Sequence, residues 1–204
     1  MKNKLPKFKK LASFFLVFAF ALPLFAQKNE TMKTSSNVFQ PSSSPLVSLR
    51  IQFLTGSTSD PAGKEGVANL TAAMIAEGGS KRLTNKQITE LFNPMATSFG
   101  AQVDKEMTTF VGQTHVDNLA KYYDIVSQML LEPGFRAEDF SRLKKNQIDF
   151  LKTSLRENND EELGKERLYN IIYAGTPYEN HSVGKISSLE SLTLQDVKDF
   201  YAKN

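Results

Sequence analysis

Between Gly63 and Gly79 runs Gly-Lys-Glu-Gly-Val-Ala-Asn-Leu-Thr-Ala-Ala-Met-Ile-Ala-Glu-Gly-Gly, and no other stretch restricts the fold so tightly. Val67, Leu70, Ala73, Met74 and Ala76 recur at three- and four-residue spacing, which predicts a helix with an apolar face. Lys64 and Glu65 open it, and Gly78-Gly79 stop it. Ala68, Ala72, Ala73 and Ala76 leave one flank nearly bare, so another stretch of backbone can approach closely.

Around this helix the periodicity changes several times. Val47, Leu49, Ile51 and Phe53 alternate with Ser48, Arg50 and Gln52, the pattern of a half-buried strand. Thr84-x-x-Gln87 forms a capping box ahead of a helix that runs to about Phe92 and ends or kinks at Pro94. Ala101 to Asp104 and Met107 to Val116 read as a hairpin turning at Lys105-Glu106. Asn118 to Leu131 is a helix stopped by Pro133-Gly134. A long helix follows from Ala137 to about Asn158, carrying Phe140, Leu143, Ile148, Leu151 and Leu155. Glu161 to Tyr173 makes another, closed by Gly175, and Thr193 caps the last. The order predicts an α+β domain: a mainly antiparallel sheet with helices packed on one face.

The net charge of +3 misleads, because the first 26 residues hold five lysines and no acid. The remainder carries 20 basic against 22 acidic side chains, no electrostatic footprint for nucleic acid. Met1 to Ala26 joins a basic start to an apolar run from Leu11 to about Leu24, and Ala26 is a plausible cleavage point. That run is short for a membrane span. The expectation is a cleaved signal peptide over 1–26, an uncleaved N-terminal anchor being the other reading, and a periplasmic or secreted protein. Residues 27–44, rich in Ser, Thr, Asn and Lys, are expected to be a flexible leader before a domain over 45–204. The chain has no cysteine, so neither disulfides nor lipid attachment at a signal-peptide cysteine are open to it.

The alternating strand, Thr55-Gly56-Ser57, the acidic turn at Asp60-Pro61 and Gly66-Val67-Ala68 at the helix head together resemble the start of the pitrilysin/insulinase family of zinc peptidases. Tyr173-Ala-Gly-Thr-Pro-Tyr178, Gly184 and Leu189-x-x-Leu-Thr-Leu-x-Asp-Val-Lys-x-Phe-Tyr201 are similar to the same family. In its active members the helix carries His-x-x-Glu-His. Two imidazoles four residues apart grip zinc from one helical face, and the carboxylate activates water. Here those positions read Asn69, Ala72 and Ala73. The resemblance therefore implies a catalytically silent first half-domain that binds no metal or cofactor of its own. It would pair with a zinc-bearing subunit or half, enclose unfolded peptide, and take peptide as an added strand on an exposed sheet edge. Two closing strands are expected to follow this half. An active endopeptidase with degenerate ligands and a purely structural assembly subunit are the alternatives.

The family's third zinc ligand is a glutamate on the long helix, and its spacing carried forward from Ala73 lands near Phe150, where Asp149 is the carboxylate in reach. Asp149 also reads as a solvated helix residue. His115 and His181 are the two histidines, and nothing in the spacing gathers them with Asp104, Glu106 or Asp117 into a metal site. His181, within Pro177 to Gly184, belongs by resemblance to a loop near substrate or the partner half. Glu77, at the helix end, either faces a chamber interior or simply sits in water. Gly63-x-x-Gly66 lacks the Gly-Lys-Ser/Thr ending of a phosphate loop, and no Gly-x-Ser-x-Gly turn is present. Lys121, Lys144, Lys145, Lys152 and Arg156 read as solvated helix faces.

Overall fold

The structure, a computed structural model, describes residues 36–41 and 43–204. The expected signal peptide and most of the leader lie outside the described residues. Among those residues the elements are β1 (Leu46–Phe53), α1 (Val67–Glu77), α2 (Asn85–Phe92), β2 (Ser98–Val103), β3 (Thr108–His115), α3 (Leu119–Leu131), α4 (Ala137–Asp149), α5 (Asp160–Ile172), α6 (Ile186–Ser191) and α7 (Leu194–Lys203). The strands form one sheet in the order β1-β3-β2, antiparallel at both junctions.

Register decides which face is buried. Phe110 stands opposite Ile51 on one side and Ala101 on the other, so these three share a face. That face lies against helices: Phe110 and Ile51 cluster with Ala72 and Ile75 of α1, Leu130 of α3 and Tyr201 of α7. The opposite face carries Ser48, Arg50, Gln52, Gln102 and Gln113. The α+β arrangement with helices on one face is therefore as the sequence predicts.

Helix α1 is the hub, touching β2, α3, α4 and α7. Leu70 and Met74 join Leu143, Leu151, Leu155, Leu189 and Val197 in the largest core cluster. A separate cluster of Ile88, Met95, Ile125 and Met129 seats α2 on α3. Of eleven α1 residues, eight are buried, so the single apolar face expected from periodicity is instead burial on nearly every side.

Boundaries depart from expectation at four places, each for a physical reason. α1 begins at Val67 because Gly66 adopts φ +103°, which takes Lys64 and Glu65 out of the helix. β2 starts at Ser98, where Gly100 hides the alternation; Phe99 stacks on Phe110 at 5.8 Å and ties the early residues in. The long helix divides: α4 ends at Asp149 and a π turn occupies Phe150–Leu155. α6 was not expected as a helix, being too short for its periodicity to register. Both capping boxes, at Thr84 and Thr193, form fully.

Candidate functional site

Asn69, Ala73 and Glu77 follow one another at four-residue spacing and lie along one stripe of α1. This stripe is the part of the helix left out of the buried set. The family resemblance implies that two metal-binding histidines would stand on this stripe, at the positions of Asn69 and Ala73. Ala72, at the general-base position, points elsewhere: it is 3% exposed and packs with Ile75 and Phe110. Beside it an apolar cavity of about 80 Å³ lies between α1, the sheet and α7, with Phe53, Thr71, Leu130 and Tyr201 in its walls.

The head of α1 is held from three directions. Both carboxylate oxygens of Asp60 accept backbone N–H groups, from Gly66 at 2.7 Å and Ala68 at 2.9 Å. Burial pushes the Asp60 carboxyl up to about 6 against the opposing pull of those two amides. From α4, the Nε2 of Gln147 donates to the carbonyls of Gly66 at 3.1 Å and Val183 at 2.6 Å. Its Oε1 is buried without a partner. Gly184 completes the clasp, since a Cβ there would come within 2.5 Å of the Gly66 Cα.

Asp149 ends α4 exposed, paired with Lys145 one turn back. His115 closes β3, its Nδ1 accepting the Asp117 amide at 3.2 Å. His181 is partly buried elsewhere, with Nδ1 accepting the Val183 amide at 3.1 Å and its ring 6.2 Å from that of Phe150. Burial holds the His181 pKa below its ordinary value. Glu106 accepts the hydroxyl of Tyr178. Among the described residues no three His, Asp or Glu side chains converge as a metal site would require.

Not legible in the sequence is a second, polar cavity of about 520 Å³, lined by Asp104, Lys105, Glu166, Tyr169, Tyr173 and His181 among others. Its walls come from the β2–β3 turn, α5 and the loop that follows α5. Lys105 Nζ donates to the carbonyls of Tyr178 and Asn180 and sits 5.9 Å from the Tyr169 ring centre. Tyr169 and Tyr173 stack at 5.5 Å. Residues drawn from positions 104 to 182 carry no common spacing; the run of tyrosines at 169, 173 and 178 was the available signal.

A buried helix with one bare stripe, clasped at its head and laid over an antiparallel sheet, defines a half-domain of the zinc-peptidase chamber type. Residues 38–185 match the family model for Insulinase (Peptidase family M16), and the chain belongs to that family. It is 24% identical over 158 residues to an uncharacterized zinc protease of Rickettsia bellii, covering 78% of this chain and 38% of the relative. The peptidase M16 inactive domain from Pseudomonas fluorescens superposes with a TM-score of 0.70 at 26% identity, covering 78% of this chain and 38% of that one. The first half of the periplasmic protease PqqL from Escherichia coli has the same fold, with a TM-score of 0.66 at 17% identity over 77% of this chain and 34% of that one. The chain thus spans less than two fifths of the length of each. Among the described residues no helix is long and apolar enough to cross a membrane.

Proposed function

We propose that this chain is a catalytically silent half of an insulinase-type peptidase, exported to the periplasm or beyond the cell. It pairs with a zinc-bearing half or subunit and holds peptide for that partner to cut. The observation that carries the reading is the condition of α1: the helix and its clasp are intact, yet Asn69, Ala72 and Ala73 occupy the motif positions and Ala72 is packed against Phe110. A fold kept while its metal-gripping side chains are replaced fits a binding role better than a chemical one. Similarity to an M16 domain described as inactive supports the same view.

Peptide would be held by backbone pairing, which needs no special side chain. The outer edge of β2 suits this, because β2 has β3 on one side and packs under α1. The test is metal content of the purified mature chain by mass spectrometry, together with peptide hydrolysis with and without a zinc-bearing partner. The expected result is no stoichiometric zinc, and cleavage only with the partner present. One zinc per chain with cleavage by the chain alone would overturn the proposal; recovery in a membrane complex without peptide binding would favour a structural assembly role.

A further inference from the structure

α5 carries its polarity in reverse. Glu162, Glu166, Tyr169 and Tyr173 line the polar cavity on the side toward the β2–β3 turn, and the Glu166 side chain is 10% exposed and lies 3.3 Å from Arg156. Leu168 stands about 160° round the helix from Glu166, and with Ile171 and Ile172 it makes one face at three- and four-residue spacing. These three aliphatic side chains are 56%, 72% and 61% exposed. A surface helix ordinarily buries such a face and turns its charges outward. No residue of α5 is buried, and among the described residues nothing covers this face.

The face runs on toward the head of the helix without obstruction, since a Cβ at Gly164 would meet nothing within 4 Å. An exposed apolar patch of this kind, on the order of 400 Å², marks an interaction site. It is about half of the roughly 800 Å² that each partner in a stable free-standing complex contributes, so it suits a partner that also touches the chain elsewhere. Arg167 sets the chemistry of that partner. It lies one turn from Ile171, is the single charge in Arg167-Leu-Tyr-Asn-Ile-Ile172, and makes no hydrogen bond or ion pair among the described residues. A second copy would bring the same unpaired cation and no carboxylate to this stretch, whereas a different surface bearing an Asp or Glu beside an apolar patch would pair it.

We propose that the face formed by Leu168, Ile171 and Ile172 is a docking surface for the zinc-bearing half or subunit, met by an apolar patch on that partner with a carboxylate against Arg167. More than three fifths of each relative reported above lies outside the part that this chain matches, so those proteins have further polypeptide with which to cover such a face. The inference rests on the reading of the chain as one half of a two-part peptidase, and adds the surface by which the two parts meet.

The chain has no cysteine, so one introduced on this face is a unique probe. Ile171→Cys and, as a control, Lys86→Cys on the exposed side of α2 are reacted with a fluorescent maleimide, with and without the zinc-bearing partner that restores peptide cleavage. The partner is expected to slow labelling at position 171 roughly tenfold, and to leave the control unchanged. Ile171→Glu and Arg167→Glu should each raise the partner concentration needed for half-maximal cleavage roughly tenfold, with thermal melts unchanged because both side chains are exposed. Unchanged labelling at position 171 while the partner still restores cleavage, or equal slowing at both positions, overturns the surface and leaves the pairing intact. Slow labelling without the partner, in a chain that sediments as a dimer, overturns the assignment in favour of a second copy. Absence of cleavage with any zinc-bearing partner overturns the pairing, and the surface falls with it.

Discussion

Gln147 Nε2 lies 3.1 Å from the carbonyl oxygen of Gly66, so α4 is tied to the first residue ahead of α1. The two helices that would share a zinc ion in an active relative are here joined by a carboxamide. Gln147→Leu removes this bond and the one to Val183; the Gly66 carbonyl keeps the Leu70 amide at 3.0 Å, whereas the Val183 carbonyl loses its donor. The loss of stability is expected to be about 2 kcal/mol, moderated because the unpartnered Oε1 goes too. Urea denaturation of the two proteins checks it, and no change in midpoint would mean that the tie contributes nothing.

Reinstalling the motif should be costly. Ala72→Glu places a carboxyl against Phe110 and Ile75 at a position 3% exposed. The expected destabilisation is about 3 kcal/mol, whereas Asn69→His and Ala73→His, on the half-buried stripe, should each cost less, about 1 kcal/mol. Thermal melts of the three single variants test the contrast.

Asp60 supplies a pH dependence whose sign follows from its environment. Its folded value of about 6 lies above the unfolded 3.8, so the folded chain holds the proton more tightly. The stabilising contribution is fully present below pH 3.8 and is lost as pH rises through 6, amounting to about 3 kcal/mol at most. Comparison with Asp60→Asn isolates it: the difference in unfolding free energy between the two proteins should change between pH 4 and pH 7, and a constant difference would refute the assignment.

Tyr122 offers a purely structural test. Its hydroxyl donates to the Ser98 carbonyl at 2.8 Å in space left open by Gly112, where a Cβ would overlap the phenol oxygen. Burial also drives the phenol pKa up to about 12. Gly112→Ala should cost about 2 kcal/mol by overpacking, and Tyr122→Phe about 1 kcal/mol for the lost bond. In the double variant the Gly112→Ala penalty should shrink, as a double-mutant cycle would reveal.

Local signals are legible in the sequence, and long-range ones are not. Thr84 and Thr193 cap as expected because a capping box is complete within four residues. The alternation of β1 survives because nothing interrupts it. The head of α1 was misplaced because it is fixed from a distance: by Asp60, whose carboxylate reaches eight residues ahead, and by Gln147 on another helix. Lys64 and Glu65 are sound helix formers overruled by that tertiary demand. Asn69, Ala72 and Ala73 could be placed on one helix from spacing alone, but that Ala72 faces the sheet while Asn69 and Ala73 form the open stripe depends on what packs around them. The polar cavity was illegible because its members meet only once α5 folds back beside the β2–β3 turn.

The π turn at Phe150–Leu155 also bears on how such a chain drifts. A wide turn accommodates one more residue than an α-helix of the same length, so a one-residue deletion within it can be taken up by a return to regular α-helix. Leu151 and Leu155, both within the turn, are buried in the largest core cluster. This turn is therefore where the chain takes up a change of length, while the two leucines inside it are fixed by the core they fill.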